Sequence, residues 1–213
     1  MKRAALIACL LAFTTPAFAQ APSATGGPIT NQAERDVIAT RVRGGASCAN
    51  CDLFQISLAY QAIPGRNFSG ARIRQADLSL ATADRARFHG ANMSLTNFFG
   101  ARLSGADLSD TNLEGATLVG AYLGGARLNG AVFTGANFSG ADMSDVNLEG
   151  ATLVGAYLGG ARLNGAVLTG ANLSGAEMAD SVGLTQAQLN TACGDATTTL
   201  PAGMTVPACG NNQ

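Results

Sequence analysis

The chain has 213 residues, 40 of them Ala and 27 Gly, with 13% charged, 6% aromatic, no Trp and a formal net charge of -1. Abundant leucine and near-zero charge exclude an acidic disordered chain, and 13 scattered basic residues against 14 acids exclude most nucleic-acid binders, which need clustered Lys and Arg. An apolar fraction built mainly from Ala and Leu points to a narrow core in one domain, or two at most.

Lys2 and Arg3 precede an apolar run from Ala4 to Phe13, then Pro16 and the small-x-small stretch Ala17-Phe18-Ala19. That order reads as a secretory signal peptide over residues 1–19, cut before Gln20. The run falls short of the roughly 20 apolar residues that span a bilayer, and Cys9 lies inside it with no lipobox following. The expected product is a periplasmic or secreted protein with no membrane span. Its eleven Arg and fourteen acids, with no Lys, give a net charge of -3. Residues 20–50 read as a flexible leader and N-terminal cap: Ala33, Val37, Ile38 and Val42 fall near helical spacing between Asn31 and Val42, and Gly44-Gly45 stops that helix.

From there a period of five takes over. Stepping by five from Ile73 to Met178 gives 22 positions, all apolar, of which only Ala83 is small. Two residues before each stands a second series, Ala71 to Ala176, in which 19 of 22 are Ala and the others are Thr96, Thr111 and Val146. Neither a helix nor a strand keeps a five-residue stripe on one face, so the chain must turn a corner in every unit. One large and one small side chain then point inward, and Gly at the second place after most centres, as at Gly120, Gly125 and Gly130, suits the corner.

Units such as Ala106-Asp107-Leu108-Ser109 and Ala171-Asn172-Leu173-Ser174-Gly175 resemble those of the pentapeptide repeat family. The resemblance implies an all-β fold, a right-handed quadrilateral β-helix of four units per coil over residues 51–180, to which the residues at either end add short helical caps. Its first four units are degenerate, with Ile56, Gln61 and Arg66 in the small inward slot. An unpaired Arg66 does not belong in a dry core, so Pro64-Gly65 is expected to mark a bulge. Residues 110–144 and 145–179 are copies identical at 30 of 35 positions. Seven units are not a whole number of four-unit coils, so matching residues such as Tyr122 and Tyr157 should lie on different sides.

Past Met178, Thr185-Gln186-Ala187-Gln188 fits a capping box opening a helix through Ala192, within a C-terminal cap over 181–213 that plugs the rod. With the rod between them, Cys48 and Cys51 lie at one end and Cys193 and Cys209 at the other. A bridge needs Cα atoms within about 7 Å, which pairs Cys48 with Cys51 and Cys193 with Cys209. The rival reading of Cys48 and Cys51 is a redox dithiol, but a helix start in a βαβ setting is missing.

His89 is the single histidine, so no Ser, His and acid constellation is expected, and it reads as a surface imidazole. Asp107, Asp142 and Glu177 fall on three different sides, and outward acids such as Asp107 read as dispensable for stability. No catalytic group, metal site or cofactor is expected. The reading is a non-enzymatic exported scaffold or interaction protein, monomeric or weakly dimeric. Thiol-disulfide chemistry at Cys48 and Cys51 is the alternative. The resemblance also brings in DNA-mimicking gyrase binding, which export and the lack of an acidic stripe oppose. Residues 66–102 carry a net +4 and 103–180 a net -6. The early excess suggests a patch at Arg85, Arg87 and Arg102 for an anionic partner, an envelope polymer or an acidic envelope protein.

Overall fold

The computed structural model describes residues 32–210. The expected signal peptide and the start of the leader lie outside the described residues. Helix α1 (Gln32–Arg43) ends at Gly44-Gly45, where Gly45 takes a φ of 109°. Ile38, Ala39 and Val42 of α1 are buried against the start of the repeats.

From Asp52 onward parallel bridges join each unit to the one twenty residues later, beginning Asp52 to Arg72, Ser57 to Asp77, Ala62 to Thr82 and Asn67 to Arg87. Twenty residues therefore make one coil of four five-residue sides. The first coil runs over 51–70, with its four sides at 51–55, 56–60, 61–65 and 66–70, and each later coil repeats them.

One unit shows why the pattern holds. Asp77 N–H donates back to Ile56 O at 2.9 Å, while Leu78 and Leu80 N–H donate forward to Asn97 and Phe99 O at 2.7 and 2.8 Å. Ala81 N–H closes the corner on Leu78 O at 3.1 Å. Four of five amides are thus used in the regular unit, and that of the residue after the centre is left over. Large centres such as Leu78, Leu103 and Leu123 are fully buried. Phe68 stacks on Phe88 with centroids 5.3 Å apart, and Phe133 meets Phe138 edge-on at 5.1 Å. The two threonines in the small series are buried with their hydroxyls satisfied: Thr96 donates to Ile73 O at 2.7 Å and Thr111 to Leu108 O at 2.6 Å.

The corner residue sits in the left-handed region, which glycine adopts without penalty, as Gly120 does at φ 63°. Nine described residues other than Gly hold the same position, among them Tyr60, Leu80, Arg85 and Leu95.

The expected bulge at Pro64-Gly65 is absent. Ile63, Gly65 and Phe68 N–H all stay on the ladder to the next coil, at 2.7, 2.9 and 2.7 Å. Arg66 is partly buried at the end of the rod, its guanidinium beside Gly45 at the end of α1 and its buried Nε without a hydrogen-bond partner. The ladder also starts one unit before residue 51, with Cys48 N–H on Asn67 O at 2.8 Å.

At the other end the tail does more than plug the rod. Leu163, Gly170, Leu173 and Met178 N–H donate to Val182, Thr191, Cys193 and Thr199 O, so the tail travels round all four sides. Helix α2 (Gln186–Leu189), opened by the Thr185 capping box, replaces one side. It ends at Leu189 instead of Ala192, because the chain must rejoin the ladder at Cys193. The Gln188 side chain donates to Leu163 and Ala166 O at 2.9 and 2.8 Å and accepts from Thr185 N–H, satisfying backbone groups that the missing strand would have met.

Candidate functional site

The leftover amide explains what many outward polar residues do. Where the residue before a centre is Asn or Asp, that side chain accepts the N–H of the residue two further on: Asn97 from Phe99 at 3.0 Å, Asp107 from Ser109 at 3.2 Å, Asn172 from Ser174 at 3.0 Å. Asp107 is therefore not an idle surface acid. Burial works against its ionisation, but the Ser109 hydroxyl and amide, with Arg127 and His89 nearby, hold its carboxyl below the usual range. The Ser144 hydroxyl and amide and Arg162 do the same for Asp142, against partial burial.

The expectation that no Ser, His and acid constellation forms is overturned by stacking. Coil spacing brings Ser109 and Asp110 beside His89, whose Nδ1 lies 2.9 Å from Ser109 Oγ and 3.5 Å from Asp110 Oδ2. The polarity is wrong for hydrolysis. Ser109 spends its one proton on Asp107 Oδ1 at 2.6 Å, so His89 must donate to Ser109 and cannot act as its base. Asp107, Asp142 and Glu177 lie on the fourth, third and second sides, too dispersed to form a carboxylate pair.

Cys48 takes the large inward slot of the unit before the first coil and Cys51 the next small slot. Their Cα atoms are 5.5 Å apart, and those of Cys193 and Cys209 are 4.7 Å apart, both at disulfide distance.

The six arginines counted between 66 and 102 do not make one patch. Arg72 and Arg74 lie on the first side, where Arg72 pairs with Asp52 at 3.2 Å and Arg74 Nε donates to Ser94 Oγ at 2.9 Å. Arg102 is on the opposite, third side, and Arg66 lies under α1. Arg85, Arg87 and Arg102 do surround a single corner, between the third and fourth sides. Arg85 and Arg102 line a shallow groove with Pro64, Gly65, Asp84 and Ser104. Arg102 Nε meets Asp84 Oδ2 at 3.3 Å, and Asp84 also accepts Ser104 N–H at 3.1 Å. Arg87 stands directly across the ladder from Asp107.

A model of pentapeptide repeats, in eight copies, matches residues 67–98, 95–134, 111–150 and 147–182. The chain belongs to the pentapeptide repeat family. Members of this family form right-handed quadrilateral β-helices. Among solved structures, this pentapeptide repeat protein is similar to HetL of Nostoc sp. strain PCC 7120, a protein involved in heterocyst differentiation regulation. The identity is 24% over 77% of this chain and 90% of HetL, with a TM-score of 0.33. It is similar also to Rfr23 of Cyanothece 51142, with 25% identity over 64% of this chain and 94% of that one and a TM-score of 0.36. A thylakoid-lumen pentapeptide repeat protein of Arabidopsis thaliana matches at 25% identity over 55% of this chain and 75% of that one, with a TM-score of 0.29. No curated protein matches significantly.

One surface of this pentapeptide repeat protein escapes a reading by sequence. Tyr60, Leu80 and Phe99, each more than two-fifths exposed, lie at the corner between the second and third sides, and the equally exposed Tyr122 stands on the third side, across the ladder from Arg102. The signal was present in the linear pattern, since all four occupy outward slots of their units. Only the twenty-residue coil shows that the first three share a corner. Among the described residues no helix is long and apolar enough to cross a membrane.

Proposed function

We propose that this protein is an exported, non-enzymatic interaction scaffold, a right-handed quadrilateral β-helix whose surface, rather than a pocket, does the work. The observation that carries the reading is how the polar groups are used. Asn and Asp satisfy turn amides, Ser109 is held by Asp107, Cys48 and Cys51 sit in inward slots, and Cys193 and Cys209 lie at disulfide distance in the tail. What faces outward without such duty is Arg85 and Arg87 at the corner beside Arg102, where a partner's carboxylates or phosphates would be gripped by planar guanidinium forks. Acids are spread over all four sides, which gives a DNA-mimicking stripe no support.

Retention on a phosphate-bearing matrix at low ionic strength, for wild type against an Arg85→Ala, Arg87→Ala, Arg102→Ala variant, tests the patch. Earlier elution of the variant, with the difference vanishing in high salt, is expected. Identical elution removes the patch. Export is tested by N-terminal sequencing of the envelope fraction, where Gln20 should be the first residue. Free-thiol counting on the same material should find none, and two thiols titrating with the redox poise would favour the Cys48 and Cys51 alternative.

A further inference from the structure

The second side differs from the other three. Over coils three to six it comprises residues 96–100, 116–120, 136–140 and 156–160, and none of these is charged. Each other side carries charge over the same coils: Glu114 on the first, Arg102 and Asp142 on the third, Asp107 and Arg127 on the fourth. The corner closing the second side is Gly100, Gly120, Gly140 and Gly160 in turn, so no side chain rims that border. The result is an open strip about 19 Å long, four coils at roughly 4.8 Å each.

A ring stands at each end of this strip. Phe99 is 50% exposed, and Tyr157, three coils on, is 42% exposed. The Tyr157 phenol folds down across the strip: a Cβ added at Gly159 would fall 2.8 Å from its Oη and 2.9 Å from its Cζ. Gly159 is outside the left-handed region, so the backbone does not call for glycine there; its missing side chain is what gives the ring room. The duplicated Tyr122 makes no such contact with Gly124, where an added Cβ would meet only Ser144 O at 3.9 Å. Between the rings the polar groups are uncharged and held in place. Asn137 Oδ1 accepts both the amide and the hydroxyl of Ser139, with Nδ2 left to donate, and Asn137 is the ladder neighbour of Tyr157. Thr117 adds a hydroxyl one coil before it.

These features select the occupant. A side about three residues wide offers roughly 10 Å, so the strip covers about 200 Å², far under the roughly 800 Å² per partner of a stable protein interface. Without charge it offers nothing to a phosphate, a carboxylate or a basic peptide. A thin, uncharged chain fits: the C–H faces of sugar rings pack on aromatic rings, and their hydroxyls exchange hydrogen bonds with fixed amide and hydroxyl groups.

We propose that the second side binds a neutral, linear polysaccharide, one sugar seated on Tyr157 and hydrogen-bonded by Asn137 Nδ2, and the chain running along the rod toward Phe99. This goes beyond the anionic-partner reading, uses a different part of the square and does not depend on the arginine corner.

The test is an array of immobilised neutral oligosaccharides of glucose, mannose, xylose and N-acetylglucosamine, in α and β linkages, probed with the full chain. Polygalacturonate is the anionic control. Retention by at least one neutral series, unchanged by high salt, is expected. Tyr157→Ala should weaken it about ten-fold or more, as loss of an aromatic anchor does. Tyr157→Phe should keep most of it, since the ring is the platform, whereas Gly159→Val should weaken it by displacing a ring that is still present. Tyr122→Ala, in the copied sequence on the third side, should bind as wild type. Tyr157→Ala leaves every buried centre intact, so an unchanged Tm separates lost binding from lost folding. No retention on any neutral series, retention of polygalacturonate alone, or equal loss from Tyr157→Ala and Tyr122→Ala overturns the proposal. So does a dimer in sedimentation that Tyr157→Ala dissociates, which would make the strip a contact between copies. Elution from the phosphate matrix reads the arginine corner alone, so either inference can fail while the other stands.

Discussion

Leu80 lies over Gly100, one coil away: a Cβ added to Gly100 would come within 2.7 Å of Leu80 Cδ2. Leu95 stands in the same relation to Gly115, at 2.8 Å, and Asn50, Asp110 and Asp145 reach over Gly70, Gly130 and Gly165. At these five corners a side chain folds forward along the rod over a glycine in the next coil, whereas Gln55 reaches forward to the Gln75 side chain instead. Corner glycines therefore answer two demands, a left-handed backbone and room for the residue twenty positions earlier.

Gly100→Ala should cost about 2 kcal/mol, roughly half from the φ of 61° and half from the overlap with Leu80. Gly120→Ala has the same backbone demand, but no atom lies within 4 Å of the added methyl, so it should cost about 1 kcal/mol. Adding Leu80→Ala to Gly100→Ala should bring the two values together. Urea titrations of the four proteins would show this, and equal midpoints for the two single glycine variants would contradict it.

Leu123→Asp places a carboxylate in a fully buried centre, where no ladder group is free to pair with it. A loss of more than about 4 kcal/mol is expected. Each coil contacts chiefly its neighbours, so amide exchange should rise first in the fourth coil and those next to it. Uniform exchange along the rod would show that the solenoid opens as one unit instead.

Asp107→Ala removes the acceptor for Ser109 amide and hydroxyl and should cost about 1 kcal/mol, whereas Asp107→Asn keeps the amide bond and should cost less. Because Asp107 and Asp142 titrate below their ordinary value in the fold, their contribution is complete above the unfolded pKa of about 3.9 and is lost as pH falls through the lower folded value. Thermal melts from pH 6 to pH 2 should show stability declining below about pH 4, with a shallower decline in Asp107→Asn. A slope unchanged by that substitution would assign acid sensitivity elsewhere.

The interior was legible because the five-residue period places one large and one small side chain inward in every unit, and 22 unbroken centres leave one register. The exterior was less so. Whether Asp107 is idle or structural depends on which amide the ladder leaves over, and that follows from the hydrogen-bond pattern, not from composition. His89 seemed alone because its partners, Ser109 and Asp110, are about twenty positions away in sequence and one coil away in space. The arginine count failed for the same reason: Arg74 and Arg102 are close in sequence but lie on opposite sides of the square. Arg66 was not expected to stay on a regular ladder, because the sequence does not show that its guanidinium reaches the end of α1 at Gly45.

The two cysteine pairs should differ in their effect on stability. Cys193 and Cys209 are separated by 16 positions, and Cys48 and Cys51 by 3. Loop-closure entropy makes the longer link worth about 3 kcal/mol and the shorter one less. The structure adds a second reason. Cys193 lies on the ladder to Asn172, and Gly194 pairs with Ala208, so the tail bridge holds the final strands against the coil beneath. Cys48 and Cys51 span only one corner at the end covered by α1. Cys193→Ser should therefore lower Tm by several degrees more than Cys48→Ser, with the loss appearing first as exchange at Leu173 and Met178, whose amides bond the tail. Equal melting of the two variants, with both tail amides still protected, would show that the C-terminal coil is held by packing of Leu189 and the Gln188 bonds without its disulfide.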